Sequence, residues 1–378
     1  MRKLVFLLII LFVWSCQNSS DRYGNGDPSV VNSLDISSVS DTLDLDVSFI
    51  SEKVEIIPLA KTHEALVGGG HNTYAISEDF IVIETNKTLL LYNRDGSFNR
   101  LLSKQGKGPG EYVYIRLMKI YEQMLYYTDA GKPGNELQGI NLKTGESVAV
   151  ELAVPSGRLN DYTLSDKGLT TVADSVKEER YIRFLYQQNS NGELLREDFL
   201  SSRAINNRVH LGPYNFLQTQ ETLYMVNSQG DSIMNVEGSK PELDFKFELP
   251  DVQADSKGHD RAIQLNTMSY NSAFLLAIKR TISIQPGKIR MSFPHYFYVN
   301  RVAGESYFFE KFDIREFGLK LSPLSLCIEE APLLCFEIHA IDFMEMAAEA
   351  GADQHVMALA KDLNENSNPV LIIAKIGK

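Results

Sequence analysis

The sequence is poor in cysteine and tryptophan and holds only one long apolar run. Of its 378 residues, three are cysteine and one is tryptophan, so the chain is not a small domain held together by many disulfides. Lys and Arg number 37 against 49 Asp and Glu, which gives a net charge of −12. Because proteins bind nucleic acids largely through Lys and Arg that displace counterions from phosphates, a nucleic acid is not an expected partner.

Motifs of catalysis and of metal binding are also missing. The seven histidines show neither a His-x-x-x-His spacing nor a Glu-flanked pair, so the sequence assigns no metal ligand and no cofactor. The Gly-x-Ser-x-Gly turn that presents a nucleophilic serine in hydrolases is absent, and no catalytic residue is assigned. The sequence leaves enzymatic activity undecided and favours a protein without it.

The one long apolar run lies at the N-terminus. Arg2 and Lys3 precede the run from Leu4 to Trp14, which ends at Ser15 and Cys16. A basic start, an apolar stretch of about a dozen residues and a small residue before the boundary are typical of a secretory signal. The run is shorter than the ~20 residues that a membrane-spanning helix needs. The sequence therefore predicts a processed signal over residues 1–16, with or without lipid on Cys16.

The composition changes after Cys16. Residues 17–42 are rich in Ser, Asn, Asp and Gly and hold few large apolar side chains, which predicts a flexible tether. The segment Leu43–Val47 alternates apolar and acidic residues as a strand does, so the ordered domain is expected to cover residues 43–378.

From residue 43 onward, short β-branched or aromatic runs alternate with Gly, Asn or Asp turns. Asp95-Gly96 and Asn191-Gly192 stand between two such runs, and these dipeptides favour the positive φ of tight hairpins. Hairpins that recur at intervals of roughly 40–60 residues are typical of small repeated sheets. The pattern predicts an all-β propeller rather than a sandwich, whose strands would follow at shorter and more even spacing.

Two segments depart from this pattern. Residues 251–272 are polar and irregular, which predicts an excursion between two blades. Residues 342–363 have helical periodicity, with Asp342 as the expected cap of a first helix, Gly351 as an interruption and Asp353 as the cap of a second. The polar face of these helices is acidic, which favours packing on the β domain over binding to a membrane surface.

Two further stretches carry a family resemblance. Leu91 to Phe98, with its Asp-Gly turn, is followed by Gln105-Gly-Lys-Gly-Pro-Gly-Glu-Tyr112, and Val54–Leu59 and Asn366–Leu371 flank the domain. Together these segments resemble the six-bladed β-propeller lipoproteins of Bacteroidetes-type bacteria, whose domain is similar to TolB-like propellers. The resemblance implies six blades, with the helical insertion before the last strand, and lipidation of Cys16. Because Gln17 replaces the Asp that favours inner-membrane retention in lipoproteins, it also implies the outer membrane.

The glycine-rich loop of this motif is expected to link two blades. Gly106, Gly108 and Gly110 allow positive φ and a close backbone crossing, and Pro109 stiffens the loop. A phosphate-binding loop is not indicated, because such loops end in Gly-Lys-Ser/Thr before a helix.

The residues that follow the loop are the candidates for ligand binding. Aromatic side chains with a few polar groups in a concave site suit sugars or peptides. Tyr114 packed between blades and Arg116 paired with a carboxylate are the structural alternatives. The candidates that would face the central funnel are Glu111, Tyr112, Tyr114 and Arg116.

Cys327 and Cys335 lie on either side of a Glu-Glu-Ala-Pro turn. Symmetry about Ala331 places the two cysteines opposite each other in a hairpin, at a separation that a disulfide can bridge. A pair of buried reduced thiols that pack as small apolar groups is the alternative.

The sequence favours a lipid-anchored envelope propeller that binds a glycan, a peptide or an envelope protein at its funnel without catalysis. A propeller-based lyase or glycan hydrolase, and a scaffold of an outer-membrane complex, remain as alternatives. The lipid is the only expected contact with the membrane.

A propeller must also close its ring of blades. We therefore expect the segment Leu43–Leu59 to meet the last strand, Val370–Ile376, in one blade or in adjacent blades.

Overall fold

The protein folds into a ring of six small β-sheets, or blades. Residues 1–30, which include the predicted signal, Cys16 and most of the predicted tether, lie outside the described part of the chain. The computed structural model describes residues 31–39, 42–68, 72–132, 135–154, 158–178, 180–204, 215–218, 222–226, 231–249, 260–285, 288–323, 326–328, 333–349 and 351–376.

The first three complete blades are four-stranded antiparallel sheets, each built from consecutive strands. Three N-terminal strands precede them: β1 (Ser33–Asp35), β2 (Thr42–Asp46) and β3 (Ser51–Pro58). Blade 1 holds β4 (Thr73–Ile76), β5 (Phe80–Thr85), β6 (Thr88–Asn93) and β7 (Phe98–Lys104). Blade 2 holds β8 (Ile115–Tyr121), β9 (Met124–Asp129), β10 (Glu136–Asn141) and β11 (Ser147–Glu151). Blade 3 holds β12 (Arg158–Ser165), β13 (Gly168–Lys177), β14 (Arg180–Gln188) and β15 (Leu194–Ala204).

The last three blades each take one strand from the N-terminal segment. Blade 4 holds β16 (Asn215–Gln218), β17 (Leu223–Val226), β18 (Ser232–Asn235), β19 (Glu242–Glu248) and the added β1. Blade 5 holds β20 (Asp260–Tyr270), β21 (Phe274–Gln285), β22 (Lys288–Met291), β23 (His295–Asn300), β24 (Glu305–Ile314), β25 (Leu319–Leu321) and the added β2. Blade 6 holds β26 (Leu326–Ile328), β27 (Leu333–Ile338), β28 (Val370–Ile376) and β3.

The first strand of each blade lies innermost. These strands contact one another in the sequence β26, β4, β8, β12, β16 and β20, which is the order of the blades around the ring. Because successive strands are antiparallel, the innermost strands all begin at one end of the ring, which we call the upper face. The connections between the second and third strands of each blade also lie there.

The N-terminal segment runs along the outside of three consecutive blades, and we call residues 31–58 the belt. Within it, β1 pairs in parallel with β19, β2 pairs in parallel with β24, and β3 pairs antiparallel with β28. The belt therefore covers the outer edges of blades 4 and 5 and supplies the outermost strand of blade 6.

The register of β3 and β28 confirms the predicted closure of the ring. Val370 pairs with Pro58 and Ala374 with Val54, so the final strand lies between β27 and a strand from the start of the domain. At this seam Asn368, which is 3% exposed, donates from Nδ2 to the carbonyls of Ala60 (2.9 Å) and Ala65 (2.7 Å).

The belt also corrects the predicted boundary of the domain. Leu34, Ile36 and Val39 are buried against blades 4 and 5, so residues 33–39 belong to the propeller. The ordered domain therefore begins before residue 43. Composition alone did not show this, because the segment holds only three apolar side chains among serines. They are enough to order it because the edge of blade 4 offers β1 a strand to pair with.

The turns between the third and fourth strands confirm the hairpin signals. Asn93 and Gly96 in blade 1 recur as Asn189 and Gly192 in blade 3, where the glycine has φ of 85° and 82°, respectively. In both turns the glycine N–H donates to the carbonyl of the asparagine, at 3.0 Å. Blades 2 and 5 use a longer version with the shared letters Asn-x-x-x-Gly-Glu-Ser, which starts at Asn141 and Asn300.

Both predicted helices are present, in the connection between β27 and β28. They are α1 (Ala340–Ala348) and α2 (Gln354–Lys361). Asp353 caps α2 by accepting from the His355 N–H at 2.7 Å, as predicted. The prediction for Asp342 is wrong, because α1 begins three residues earlier than its periodicity suggested and His339 occupies the cap position. Phe343 and Val356 are fully buried against blades 5 and 6, which confirms the packing of the helices on the β domain.

The predicted excursion over residues 251–272 is corrected in part. Residues 260–270 form β20, the innermost strand of blade 5, and residues 250–259 lie outside the described chain. Sequence reasoning did not recognise β20 as a strand because its sequence is polar. Thr267 and Ser269 are buried in it although neither is apolar.

The apolar core is divided among the six seams between neighbouring blades. Each of six clusters of buried side chains joins two adjacent blades. Examples across the seams are Val82 and Leu125 (blades 1 and 2), Leu137 and Tyr162 (2 and 3), Val172 and Phe216 (3 and 4), Phe245 and Phe297 (4 and 5), Phe312 and Phe336 (5 and 6), and Ile373 and Ile83 (6 and 1).

Candidate functional site at the inner wall of blades 2 and 3

The glycine-rich loop links β7 of blade 1 to β8 of blade 2, as predicted. Its two ends are joined by backbone hydrogen bonds: Gly106 N–H donates to the Tyr112 carbonyl at 2.8 Å, and Tyr112 N–H donates to the Lys104 carbonyl at 3.2 Å. Ser103 Oγ donates to the Gly110 carbonyl at 2.7 Å. The loop is therefore a closed turn that brings the chain from the outer edge of one blade to the centre of the next.

The three glycines have different roles in this turn. Gly110 has φ of 76°, as predicted, whereas Gly106 and Gly108 do not have positive φ. A Cβ on Gly106 would overlap the carboxylate of Glu111, and one on Gly108 would lie 3.0 Å from Glu111 Oε2. Gly106 and Gly108 are therefore needed because the Glu111 side chain lies against their backbone. The sequence pattern predicted a close approach in this loop but did not show that Glu111 makes it.

Glu111 and Tyr112 both make contacts that hold the fold, Glu111 at the surface and Tyr112 in the interior. Glu111 Oε2 accepts from the Gly108 N–H at 2.7 Å, which holds the turn. Tyr112 is 1% exposed and donates from its hydroxyl to Glu84 Oε1 at 3.2 Å. Burial and the nearby Glu84 charge raise the pKa of the Tyr112 hydroxyl. The structure therefore places Tyr112 in the seam between blades 1 and 2 and not in the funnel.

Tyr114 lies at the upper face with its side chain 59% exposed, which rules out packing between blades. Its backbone is held by Asp129, whose Oδ1 accepts from the N–H groups of Val113, Tyr114 and Gly131, each at 3.0 Å. Asp129 is buried at the end of β9. Sequence reasoning missed Asp129; the signal that points to it is an Asp followed by Ala and Gly directly after an apolar strand.

Arg116 lies on the innermost strand of blade 2 and reaches blade 3. Its Nη2 is 3.4 Å from the carbonyl oxygen of Leu159 on β12. Among the described residues it has no carboxylate partner, so the predicted ion pair is not present there. The guanidinium therefore lies against the peptide group that joins Leu159 to Asn160.

Lys119 and Asp161 form a partly buried ion pair next to Arg116. Lys119 Nζ is 2.9 Å from Asp161 Oδ1, with 20% and 3% of the two side chains exposed. Asp161 Oδ2 also accepts from the Phe216 N–H at 2.8 Å. Asp161 thereby connects the innermost strands of blades 2, 3 and 4, and it was not among the residues that the sequence analysis selected.

Both innermost strands are irregular at this point. The register of β8 shifts between Arg116 and Lys119, where Leu117 has φ of 49°, and the register of β12 shifts between Leu159 and Asp161. A bulky residue at positive φ costs ~1–3 kcal/mol, and such strain is concentrated at functional sites. The Tyr162 hydroxyl donates to the Leu117 carbonyl at 2.6 Å, which ties the two irregular segments together.

The upper face also exposes several other large apolar side chains. Most lie in connections at this face, whereas Val176 and Met291 lie at the ends of β13 and β22, and the most exposed is Phe293 at 87%. Single exposed apolar side chains are normal on protein surfaces, and eight more lie on the belt, on outer strands and in turns at the opposite face, so those of the upper face do not by themselves mark an interaction surface. They are Leu66, Val113, Tyr114, Val176, Met291, Phe293, Ile341 and Met357.

The predicted disulfide stays a prediction. Leu326–Ile328 and Leu333–Ile338 form the expected hairpin, in which Cys335 is buried and its register partner is Ile328. The register shifts between Leu326 and Ile328, so Cys327 lies at an irregular position of the strand. The Cys327 side chain lies outside the described part of the molecule.

Within the residues that the structure describes, no group of three or more His, Cys, Asp or Glu side chains is placed to hold a metal ion. The expectation that the protein has no metal and no cofactor remains a prediction. In the same part of the chain, no helix is both long enough and apolar enough to cross a membrane.

Comparison with known proteins now places the chain in a family. Residues 31–375 match the family described as Domain of unknown function (DUF4934), and the protein belongs to it. The matched region starts at the belt, in agreement with the corrected domain boundary. No curated protein sequence matches the chain.

Solved structures support the fold. A Bacteroides fragilis protein described as a "Putative exported protein" has a TM-score of 0.60 at 12% identity, over 92% of this chain and 100% of that one. An oligogalacturonate lyase in complex with manganese has a TM-score of 0.37 at 10% identity, over 86% and 91% of the two chains. Kluyveromyces lactis Hsv2 has a TM-score of 0.30 at 14% identity, over 60% and 73% of the two chains. The first likeness shows a shared fold, and the scores of the other two are too low to support an argument.

Proposed function

We propose that this protein is an exported, lipid-anchored propeller that binds a glycan, a peptide or an envelope protein at its upper face, without catalysis. Binding needs a surface that is presented in a fixed shape before the ligand arrives, because ordering it afterwards costs free energy. The upper face has such a surface at the start of β8. The observation that carries the proposal is Tyr114, an exposed aromatic side chain whose N–H and that of Val113 both donate to the buried Asp129.

Several features support this proposal. Tyrosine offers a large contact area, and few of its rotatable bonds need to be fixed on binding. Arg116 and Lys119 lie on β8, which begins directly after Tyr114, so charged residues follow the aromatic one within five positions of the chain. Aromatic surface beside a few polar groups suits sugars and peptides.

The test of binding compares two exposed aromatic residues. Tyr114→Ala and Phe199→Ala remove side chains of similar exposure, 59% and 62%, from the upper face and from the outer strand of blade 3. We expect Tyr114→Ala to weaken binding to hits from glycan and peptide arrays by at least about tenfold, and Phe199→Ala to leave it unchanged. Both variants should melt close to the parent temperature. Equal affinity of the Tyr114 variant and the parent for every hit would contradict a binding site at this position.

The anchor is tested separately. Several acyl chains hold a protein on a membrane firmly, at ~0.8 kcal/mol per buried methylene, so Cys16→Ser should release the protein from the membrane fraction or leave its precursor uncleaved. Fractionation of inner and outer membranes then gives the location, which we propose to be the outer membrane. Membrane association and processing that do not change in the Cys16→Ser variant would contradict lipidation.

A further inference from the structure

The inner wall between blades 2 and 3 holds an amide group without a hydrogen-bond partner. Asn160 occupies the irregular position between Leu159 and Asp161 on β12. Its Nδ2 is buried and has no partner within the described chain. A buried donor that is left unpaired costs ~1–3 kcal/mol, so folded proteins rarely keep one without a use.

Among the described side chains of the same wall, one positive charge has no carboxylate partner. Lys119 is paired with Asp161, whereas Arg116 has only the carbonyl of Leu159 at 3.4 Å among the described residues. Leu159 directly precedes Asn160, so the guanidinium group lies beside the backbone of the residue that carries the unpaired amide. A partly buried cation with no carboxylate beside it attracts an anion more strongly than a neutralised one does.

We propose that this wall is a binding site for a carboxylate group, held by Arg116 and Asn160. A guanidinium and an amide both present planar N–H donors, which match the two oxygens of a planar carboxylate. A carboxylate carries a single negative charge and balances the one unpaired cation, whereas a phosphate with a charge near −2 would leave an excess. The strained Leu117 and the two register shifts then serve to present these donors at the inner edge of the blades.

This inference rests on the proposed function, since it names the chemistry of a ligand at the upper end of β8. Tyr114 immediately precedes β8 and Arg116 is its second residue. A ligand with an apolar or sugar face near Tyr114 and a carboxylate near Arg116 would use both. The site therefore fits acidic sugars, or peptides with a carboxylate in reach, better than neutral ones.

Glucuronate and glucose form a matched pair of probes, because they differ by a carboxylate in place of a hydroxymethyl group. We expect titration calorimetry on the purified protein to detect glucuronate binding that weakens with added salt, and glucose to bind at least about tenfold more weakly. Acetate should compete with glucuronate. Equal affinity for glucuronate and glucose would overturn the inference.

Two variants locate the carboxylate. Arg116→Gln should remove the preference for glucuronate over glucose, and Asn160→Ala should reduce it several-fold. Asn160→Ala should also melt at the parent temperature or above it, because it removes an unpaired buried donor. Arg315→Gln removes a charge from a side chain that is 68% exposed outside the inner wall, and as the control it should leave the preference for glucuronate unchanged.

Asn160→Ala still tests the inference if the Arg116→Gln protein does not fold. An Asn160→Ala protein with the parent's preference for glucuronate would overturn the inference. If the parent protein shows no preference for glucuronate over glucose while array hits still bind through Tyr114, only this inference is contradicted. A loss of the dependence on Tyr114 contradicts the proposed function.

Discussion

At the scale of single residues, a few polar side chains determine the shape of the upper end of blade 2. Asp129 holds the approach to β8, Glu111 holds the glycine-rich turn, and Asp161 connects three blades. Each carboxylate accepts backbone N–H groups that have no partner in a sheet. The backbone before β8, which carries Tyr114, is therefore held by a side chain in addition to the strand pairing that holds Arg116 opposite Thr128.

The role of Asp129 predicts a large effect of its removal. Asp129→Ala leaves three backbone N–H groups without an acceptor, so the free energy of unfolding should fall by ~1–3 kcal/mol, measured by urea denaturation. Asp95→Ala is the matched control, since Asp95 accepts from Ser97 in an exposed turn where water can replace it. If both variants lose the same small amount, the hydrogen bonds of Asp129 do not hold the segment.

Gly110 provides a test of backbone strain alone. It has φ of 76°, and a Cβ built on it would meet no atom within 4 Å, so any cost of substitution comes from the backbone. Gly110→Val should lower the free energy of unfolding by ~1–3 kcal/mol. Gly238→Val serves as the comparison, because a Cβ there lies at an ordinary 3.6 Å from the Lys240 carbonyl. A Gly110 variant that is as stable as the Gly238 variant would be unexpected.

At the scale of strands and helices, sequence reasoning succeeded where a local rule decides the structure. Asn-Gly turns need positive φ, and α2 needs a cap at Asp353, so both could be predicted from a few letters. Middle strands could be recognised as continuous apolar runs, because neighbouring blades cover both of their faces; Leu89, Leu90 and Leu91 are all fully buried.

Sequence reasoning failed where a distant part of the chain decides the structure. The strand β1 exists because the edge of blade 4 offers it a partner more than two hundred residues away, and Ser33–Asp35 has no strand signal of its own. The same applies to the candidate site. Arg116 was selected because it follows a motif, whereas Asn160 and Asp161 gain their roles from the neighbouring blade and from irregular register, which no local pattern specifies.

Ring closure predicts unequal effects of two truncations. Deletion of residues 369–378 removes β28 from between β27 and β3, which leaves two strands without a partner and opens the seam between blades 6 and 1. We expect aggregation and protease sensitivity along the whole chain. Deletion of residues 31–39 removes β1 but leaves every blade with four strands, so this protein should still melt cooperatively at a reduced temperature. A β28 deletion that melts at the parent temperature would contradict closure by this strand.

At the scale of the whole molecule, the propeller has no single core. Its apolar side chains are divided among six seams, so each blade depends on two neighbours and the ring depends on every seam. The seam between blades 6 and 1 lies beside the pairing of β28 with β3, which closes the ring between the two ends of the described chain. It is reinforced by Arg94, whose Nε donates to Glu55 Oε2 at 2.9 Å, and by the buried Asn368. Unfolding is therefore expected to involve the entire ring at once.

The tyrosines in these seams predict how stability changes at alkaline pH. Burial, with smaller effects of nearby carboxylates and tyrosines, raises the pKa of Tyr127, Tyr186 and Tyr307, each to about 12, in blades 2, 3 and 5. In the unfolded chain a tyrosine has a pKa of about 10, so between these values the unfolded state releases protons that the folded state retains. Stability should be constant below about pH 10 and fall as the pH rises through the folded values.

Thermal unfolding followed from about pH 8 to pH 11 tests this expectation, with tyrosinate absorbance recorded on the same samples. The melting temperature should begin to fall near pH 10, and the absorbance of the buried tyrosinates should appear together with unfolding. Tyr127→Phe removes one of the retained protons, so its stability should fall less steeply with pH than that of the parent. If tyrosinate absorbance instead develops fully while the circular dichroism of the sheets is unchanged, the seams do not protect these side chains, and the six clusters are more open to water than their burial indicates.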